Sequence, residues 1–152
     1  MITQQGATKL FDLLRSQAKL YVGLSYSKPN MDGTGLREPT AVSYHRQFVD
    51  GNFAGTNVTQ AFGDVQMTDN GAKRTTTKTI YFEEAYDHVL QKVEDWGELK
   101  YVCLFLSETD NDLFAYQELP EAIHPGKDGQ SSIALIRAGD LTIEIGNPVS
   151  NG

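Results

Sequence analysis

The spacing of its turn signals constrains this chain more than any other feature. Clusters of Gly, Pro, Asp and Asn break short apolar or alternating runs roughly every eight to twelve residues, as between the antiparallel strands of a β-sandwich or jelly-roll. The clearest run is Lys19 to Ser25, where Leu20, Val22 and Leu24 alternate to one side. Glu98 to Ser107 is apolar on both faces and is expected to be a central strand. Thr109 to Asp112 then reads as a turn, with Leu113 to Glu118 folding back as the second arm of a hairpin.

Further strands are expected at Tyr44 to Val49, Thr75 to Phe82, Ser132 to Arg137 and Leu141 to Ile145. Asp50-Gly51, Asp69-Asn70-Gly71 and Ala138-Gly139-Asp140 read as turns between them, and His124 to Gly129 as a loop. Asn52 to Thr68 has only a weak pattern. Ser27 to Thr40, with Pro29, Asp32-Gly33, Gly35 and Pro39, reads as a long irregular loop. Loops of that length are functional or are held by a neighbour, and a neighbour is expected here. Its apolar residues Met31 and Leu36 are therefore candidates for contact with a partner.

Two helices complete the expectation. Leu10, Phe11, Leu13 and Leu14 cluster at helical spacing behind Thr8 as a cap, over about two turns. They span too much of so short a helix for one-sided packing, so this segment is expected to touch another subunit. The organisation is then a helical assembly segment at 1–17 ahead of one β-sandwich domain at 18–152. An amphipathic helix is expected to be inserted over Glu83 to Asp95. Ala85, Val89, Val93 and Trp96 recur at intervals of three or four residues, acidic residues open it and Gly97 closes it.

With 152 residues the chain can bury a core without metal or disulfide help. Seven Tyr, seven Phe and one Trp suit pleated, half-buried surfaces. The net charge of −7 argues against nucleic acid and anionic membranes as partners, because no counterions are released on contact. The start, Met1 to Ala7, lacks a signal-peptide pattern, and the longest apolar run, Tyr101 to Leu106, is far too short to span a bilayer. Folding in a cytoplasm is expected, and Asn57-Val58-Thr59 then has no meaning as a glycosylation acceptor. The polar end Gly146 to Gly152 is of a kind that frays unless an assembly holds it.

The usual catalytic constellations are missing. Gly23-Leu24-Ser25-Tyr26-Ser27 lacks the last glycine of a nucleophile elbow, and Gly33-Thr34-Gly35 lacks the third glycine of a dinucleotide loop. His45, His88 and His124 share no ligand spacing and read as surface residues. Cys103, the single cysteine, lies in an apolar run and reads as a small hydrophobe. Asp110 with Asp112, or Asp32 with Glu38, has oxygens for calcium but reads better as turn chemistry. Trp96 and Tyr101 could stack on a sugar, although Trp96 reads better as a staple between the inserted helix and the sandwich. No cofactor, metal or enzymatic activity is expected.

Leu20 to Ser25 is followed in order by Asp32-Gly33-Thr34-Gly35, Glu38-Pro39 and Tyr44-His45-Arg46. Then come Phe82-Glu83-Glu84-Ala85, Trp96-Gly97 and Ala138-Gly139-Asp140. This order resembles a family of small bacteriophage virion proteins, tail-fibre or tail-tip-like, with a YVGLS strand, a DGTG…EP loop, a Y-x-R strand, an F-x-x-A…WG segment and a late AGD turn. The resemblance covers roughly residues 20–145. In the family the alanine-to-WG gap is short, whereas Tyr86 to Asp95 fills it here. The resemblance brings no catalytic residue. It implies a non-enzymatic tail-tip, baseplate or tail-fibre component located in the virion. Such a chain would contact other virion proteins and copies of itself in a ring or trimer, with β edges or the inserted helix at the seams. A capsid decoration or head-fibre protein is the alternative, and a module contacting host-surface carbohydrate a further one.

Overall fold

The computed structural model describes residues 1–53, 56–57 and 60–148. Val58 and Thr59 of the acceptor motif, and residues 149–152 of the polar end, lie outside the described residues. Among the described residues the chain is mainly β, with several antiparallel sheets and one α-helix, consistent with the sandwich-like reading of its sequence. In chain order the elements are α1 (Gln4–Gln17), β1 (Lys19–Ser25), β2 (Gln47–Phe53), β3 (Thr56–Asn57), β4 (Gln66–Thr68) and β5 (Gly71–Thr75). Then come β6 (Ile80–Glu84), β7 (Tyr86–Asp87), β8 (Lys92–Val93), β9 (Leu99–Phe105), β10 (Leu113–Ile123), β11 (Ile133–Ile136) and β12 (Thr142–Gly146). They form two compact units, each gathered from separate stretches of chain.

One unit contains Met1–Lys19, Val49–Thr79 and the stretch from Arg137 onward. Its sheet has the order β12-β5-β4, antiparallel throughout, and α1 packs on all three strands. The helix is longer than the spacing suggested: its 14 residues make about four turns. Its cap is Thr3, whose hydroxyl accepts from the Gly6 amide at 3.0 Å, while the Thr8 hydroxyl donates to the Gln4 carbonyl within the helix. Ala7 and Phe11 face the sheet and are buried. The helical segment thus belongs to this unit's core and is no separate appendage. At the far end Asn147 bonds to both polar backbone groups of Ile2, so this part of the polar end is held within its own unit.

Asp50-Gly51 is not a turn; both residues lie inside β2. Gly51 takes φ 111° because a Cβ there would come within 2.1 Å of the Ala18 carbonyl oxygen. Asp50 is fully buried and pairs with Arg74 at 2.9 Å, while Arg74 also donates to the carbonyls of Gly63 and Phe62. Burial pushes the Asp50 carboxyl up, and Arg74 works in the opposite direction. The expected strand from Thr75 to Phe82 is split between β5 and β6; Thr76 forms an isolated bridge to Phe62, donates its N–H to the Leu141 carbonyl and accepts from Gly139 N–H.

The other unit contains Leu20–Phe48 and Ile80–Ile136. Here β9 lies between β10 and β1, all antiparallel, as its two apolar faces required. Across β1 and β9, Val22 pairs with Leu104 and Leu24 with Val102 on one face. Tyr21 pairs with Phe105 and Gly23 with Cys103 on the other. Leu36, Phe48, Leu113 and Tyr116 cover this second face. The last two strands part company: β11 pairs with β6 in this unit, whereas β12 pairs with β5 in the first.

The inserted helix over Glu83 to Asp95 does not form. The chain finishes β6 and makes a small hairpin from β7 and β8, with Tyr86 opposite Val93. The Asp87 carboxylate accepts from the amides of Val89 and Leu90, and Gln91 closes the turn at φ 52°. Ala85 and Trp96 are buried, but Val89 is 88% exposed, so the four-residue recurrence never became one buried stripe.

Candidate functional site

The long loop after β1 is held by its own chain. Tyr26 N–H donates to the Arg37 carbonyl at 2.9 Å and Arg37 N–H to the Ser25 hydroxyl at 3.1 Å. Inside the loop, Asn30 N–H reaches the Thr34 carbonyl and Asp32 accepts from both the amide and the hydroxyl of Thr34. The expected dependence on a neighbour is therefore replaced by side-chain and backbone closure. In the isolated chain, the amides of Tyr26 and Arg37 should exchange slowly with solvent. Exchange at the rate of an open loop would contradict these bonds.

At the end of this loop a carboxylate clamp forms. Glu38 accepts from the Tyr44 hydroxyl at 2.5 Å, and from Arg46 through Nε at 3.0 Å and NH2 at 2.5 Å. The Arg46 and Glu38 side chains are only 6% and 18% exposed. The guanidinium lies 3.5 Å from the centre of the Phe105 ring and donates to the carbonyls of Ser107 and Asp110, fixing the β9–β10 turn. The Tyr44 hydroxyl also accepts from Leu24 N–H. Burial and the Glu38 carboxylate both push the Tyr44 hydroxyl up, so it stays a proton donor. Gly23 makes room for this: a Cβ there would sit 2.7 Å from the Tyr44 oxygen and 2.8 Å from Phe105.

A second set of contacts extends the clamp. The Tyr44 ring stands edge-on to Trp96, and Phe82 lies against both. Trp96 is buried and donates through Nε1 to Ser43 at 2.9 Å, and its carbonyl accepts from the Tyr26 hydroxyl. Both oxygens of Glu94 accept backbone amides, from Val42 and Ser43. Trp96 is a staple, as expected, but between a loop and a hairpin and not at a helix end.

Beside the clamp the loop 30–33 and the first part of β10 enclose a groove of ≈ 630 Å³. Asn111 Nδ2 donates to the Gly33 carbonyl and ties the two walls together. The register slips between Leu113 and Ala115, so Phe114 is the extra residue of a β-bulge and is 37% exposed.

The expected partner-contact residues fall into two groups. Leu10, Leu13 and Met31 are 42%, 56% and 93% exposed, and Leu14 is half-buried. Phe11 and Leu36, by contrast, are spent on the interior: Phe11 faces the sheet under α1, and Leu36 packs against Tyr21, Cys103 and Phe105. Periodicity cannot say which side of a short helix, or which loop residue, meets the core. His45 and His88 are exposed, and His124 pairs with Asp95 at 2.5 Å. Glu38, once a calcium candidate with Asp32, is committed to Arg46. Among the described residues no group of three or more His, Cys, Asp or Glu is placed to hold a metal, and no helix is long and apolar enough to cross a membrane.

Cys103 is fully buried, and burial pushes its thiol up to about 12. Alkylation by iodoacetamide at neutral pH should be blocked in the folded chain and complete in urea, read by mass. Rapid labelling without urea would contradict this. The clamp went unseen because its pieces are ordinary turn and strand residues: Glu38, Tyr44 and Arg46 are near one another in sequence, but Gly23, Phe82, Trp96 and Phe105 join them from other parts of the chain. The groove left two separate traces, the long loop Ser27 to Thr40 with Met31 and the hairpin signal at Thr109 to Asp112, and no local pattern says that they meet. The chain matches no family model and no curated protein.

Proposed function

We propose that this chain is a non-enzymatic structural protein of a bacteriophage particle, in a tail tip, baseplate or fibre, acting by contact with other virion proteins and with its own copies. One observation carries the reading. Residues from separate pieces of the virion-protein resemblance meet in a single cluster. Gly23 of YVGLS, Glu38 of the EP pair, and Tyr44 and Arg46 of Y-x-R form the clamp, joined by Phe82 and Trp96. A motif whose members hold each other in place is a motif for shape. The clamp's carboxylate is taken up by its neighbours and largely buried, so the cluster fixes the shape of the strands and loops around it.

Contact is the work left to the exposed apolar residues, and many weak copies act as one strong one in a repeated array. The test is gold-labelled antibody against the chain, applied to particles purified from cells that make it. Label at the tail tip, baseplate or fibre supports the proposal. Label on the head transfers the same role to a decoration or head-fibre protein, and particles that contain none of the chain overturn it. Leu13→Asp changes only an exposed position of α1. It is expected to leave thermal unfolding unchanged while lowering incorporation severalfold, and normal incorporation would remove α1 from the contact.

A further inference from the structure

The groove beside the clamp has a chemistry of its own. We propose that it is a saccharide-binding site, taking roughly one or two neutral sugar units, which the cleft volume allows. A sugar ring offers two kinds of surface, hydroxyls around its edge and apolar C–H groups on its faces. The groove offers the complement of each. Asn30, Asp32, Asn111 and Asp112 supply amide and carboxylate groups, and Phe114 and Tyr116 supply rings.

The site is built before any ligand arrives. Asn111 bridges the walls through Gly33, Asn30 Nδ2 donates to the Thr34 hydroxyl at 2.9 Å, and Asp32 Oδ1 is held by the same threonine. Tyr101 stands edge-on to Tyr116 with ring centres 6.4 Å apart. Side chains already fixed lose little freedom when a ligand binds. The bulge turns Phe114 out of the regular pleat at the groove wall, which is what bulges do beside binding sites.

Two observations select the ligand class. The bulge at Phe114 and the proline at Pro120 interrupt the donor pattern of β10, so an added peptide strand would find a broken edge. Among the described residues that line the groove, Asp32 and Asp112 are the only charged ones, so uronate, sialate or phosphate-bearing sugars meet like charge. The inference stands apart from the particle role: a chain found in no particle could still bind sugar here.

The test is an amide-resolved NMR titration of the full chain with maltose, lactose and diacetylchitobiose, with digalacturonate as the anionic control. At least one neutral disaccharide should shift amides in 30–33 and 111–116, and digalacturonate should shift none. Phe114→Ala and Asp112→Ala, both at exposed positions, should each weaken that binding by about tenfold, the worth of one good contact. Binding the same disaccharide as an immobilised polymer, more tightly than in free form, would point to a surface glycan as the source. Free sugar bound equally well would point to a soluble one, and both support the site. Silence from all three neutral sugars, shifts only elsewhere, unchanged affinity in both variants, or an extended peptide shifting these amides where sugars do not, would overturn it.

Discussion

Replacing Glu38 with alanine should cost about 3–5 kcal/mol of stability, the range for breaking a buried ion pair by removing one partner. The loss goes beyond one contact. Arg46 keeps its charge under Phe105 with its main counter-charge gone, and the Tyr44 hydroxyl loses its acceptor. Urea unfolding followed by the emission of Trp96, the only tryptophan and in the same unit, reports the change directly. Glu38→Gln keeps one acceptor and should fall between the two. A loss below about 1 kcal/mol, the range of a surface pair, would mean that the clamp is not buried as described.

Arg74→Met in the first unit is expected to be as severe at neutral pH, again about 3–5 kcal/mol, because it strands the Asp50 carboxylate inside. Here pH supplies a check on the cause. Burial already raises the Asp50 carboxyl, and without Arg74 the largest opposing influence is gone, leaving the Gly51 amide and the Arg15 charge. A carboxyl raised in the folded state binds more protons folded than unfolded. Stability is then greatest below its unfolded value and declines as pH rises through its folded one. The variant should therefore regain part of its loss when the pH is lowered from neutral to about 5, measured by urea unfolding with far-UV circular dichroism. The double variant Asp50→Leu/Arg74→Met should recover most of it, because a well-packed apolar pair has no charge to desolvate. A loss that stays the same between neutral pH and about 5 would assign the damage to packing.

Several elements were legible because their signals are local. The alternation in Lys19–Ser25, the two-sided apolar run that became β9 and the turn at Ala138-Gly139-Asp140 each rest on neighbouring residues. Glu83 to Asp95 misled because a recurrence of four is shared by a helix and by a hairpin with a capped turn. The decision fell to Asp87, whose side chain takes up two amides that a helix would have used. Asp50-Gly51 misled for a related reason. The pair is favoured in turns, but a close approach to Ala18 and a buried arginine gave both residues other work.

The sequence by itself determined the class of fold: short antiparallel strands, a leading helix and a β9 that had to lie between two neighbours. It did so because strand and turn preferences act over a few residues. Only the tertiary structure decided that β11 and β12 serve different units, that Phe11 and Leu36 point inward, and that Gly23, Glu38, Tyr44 and Arg46 meet. Those outcomes depend on charge, volume and hydrogen-bond geometry between residues as far apart as Arg46 and Asp110, which no local pattern encodes.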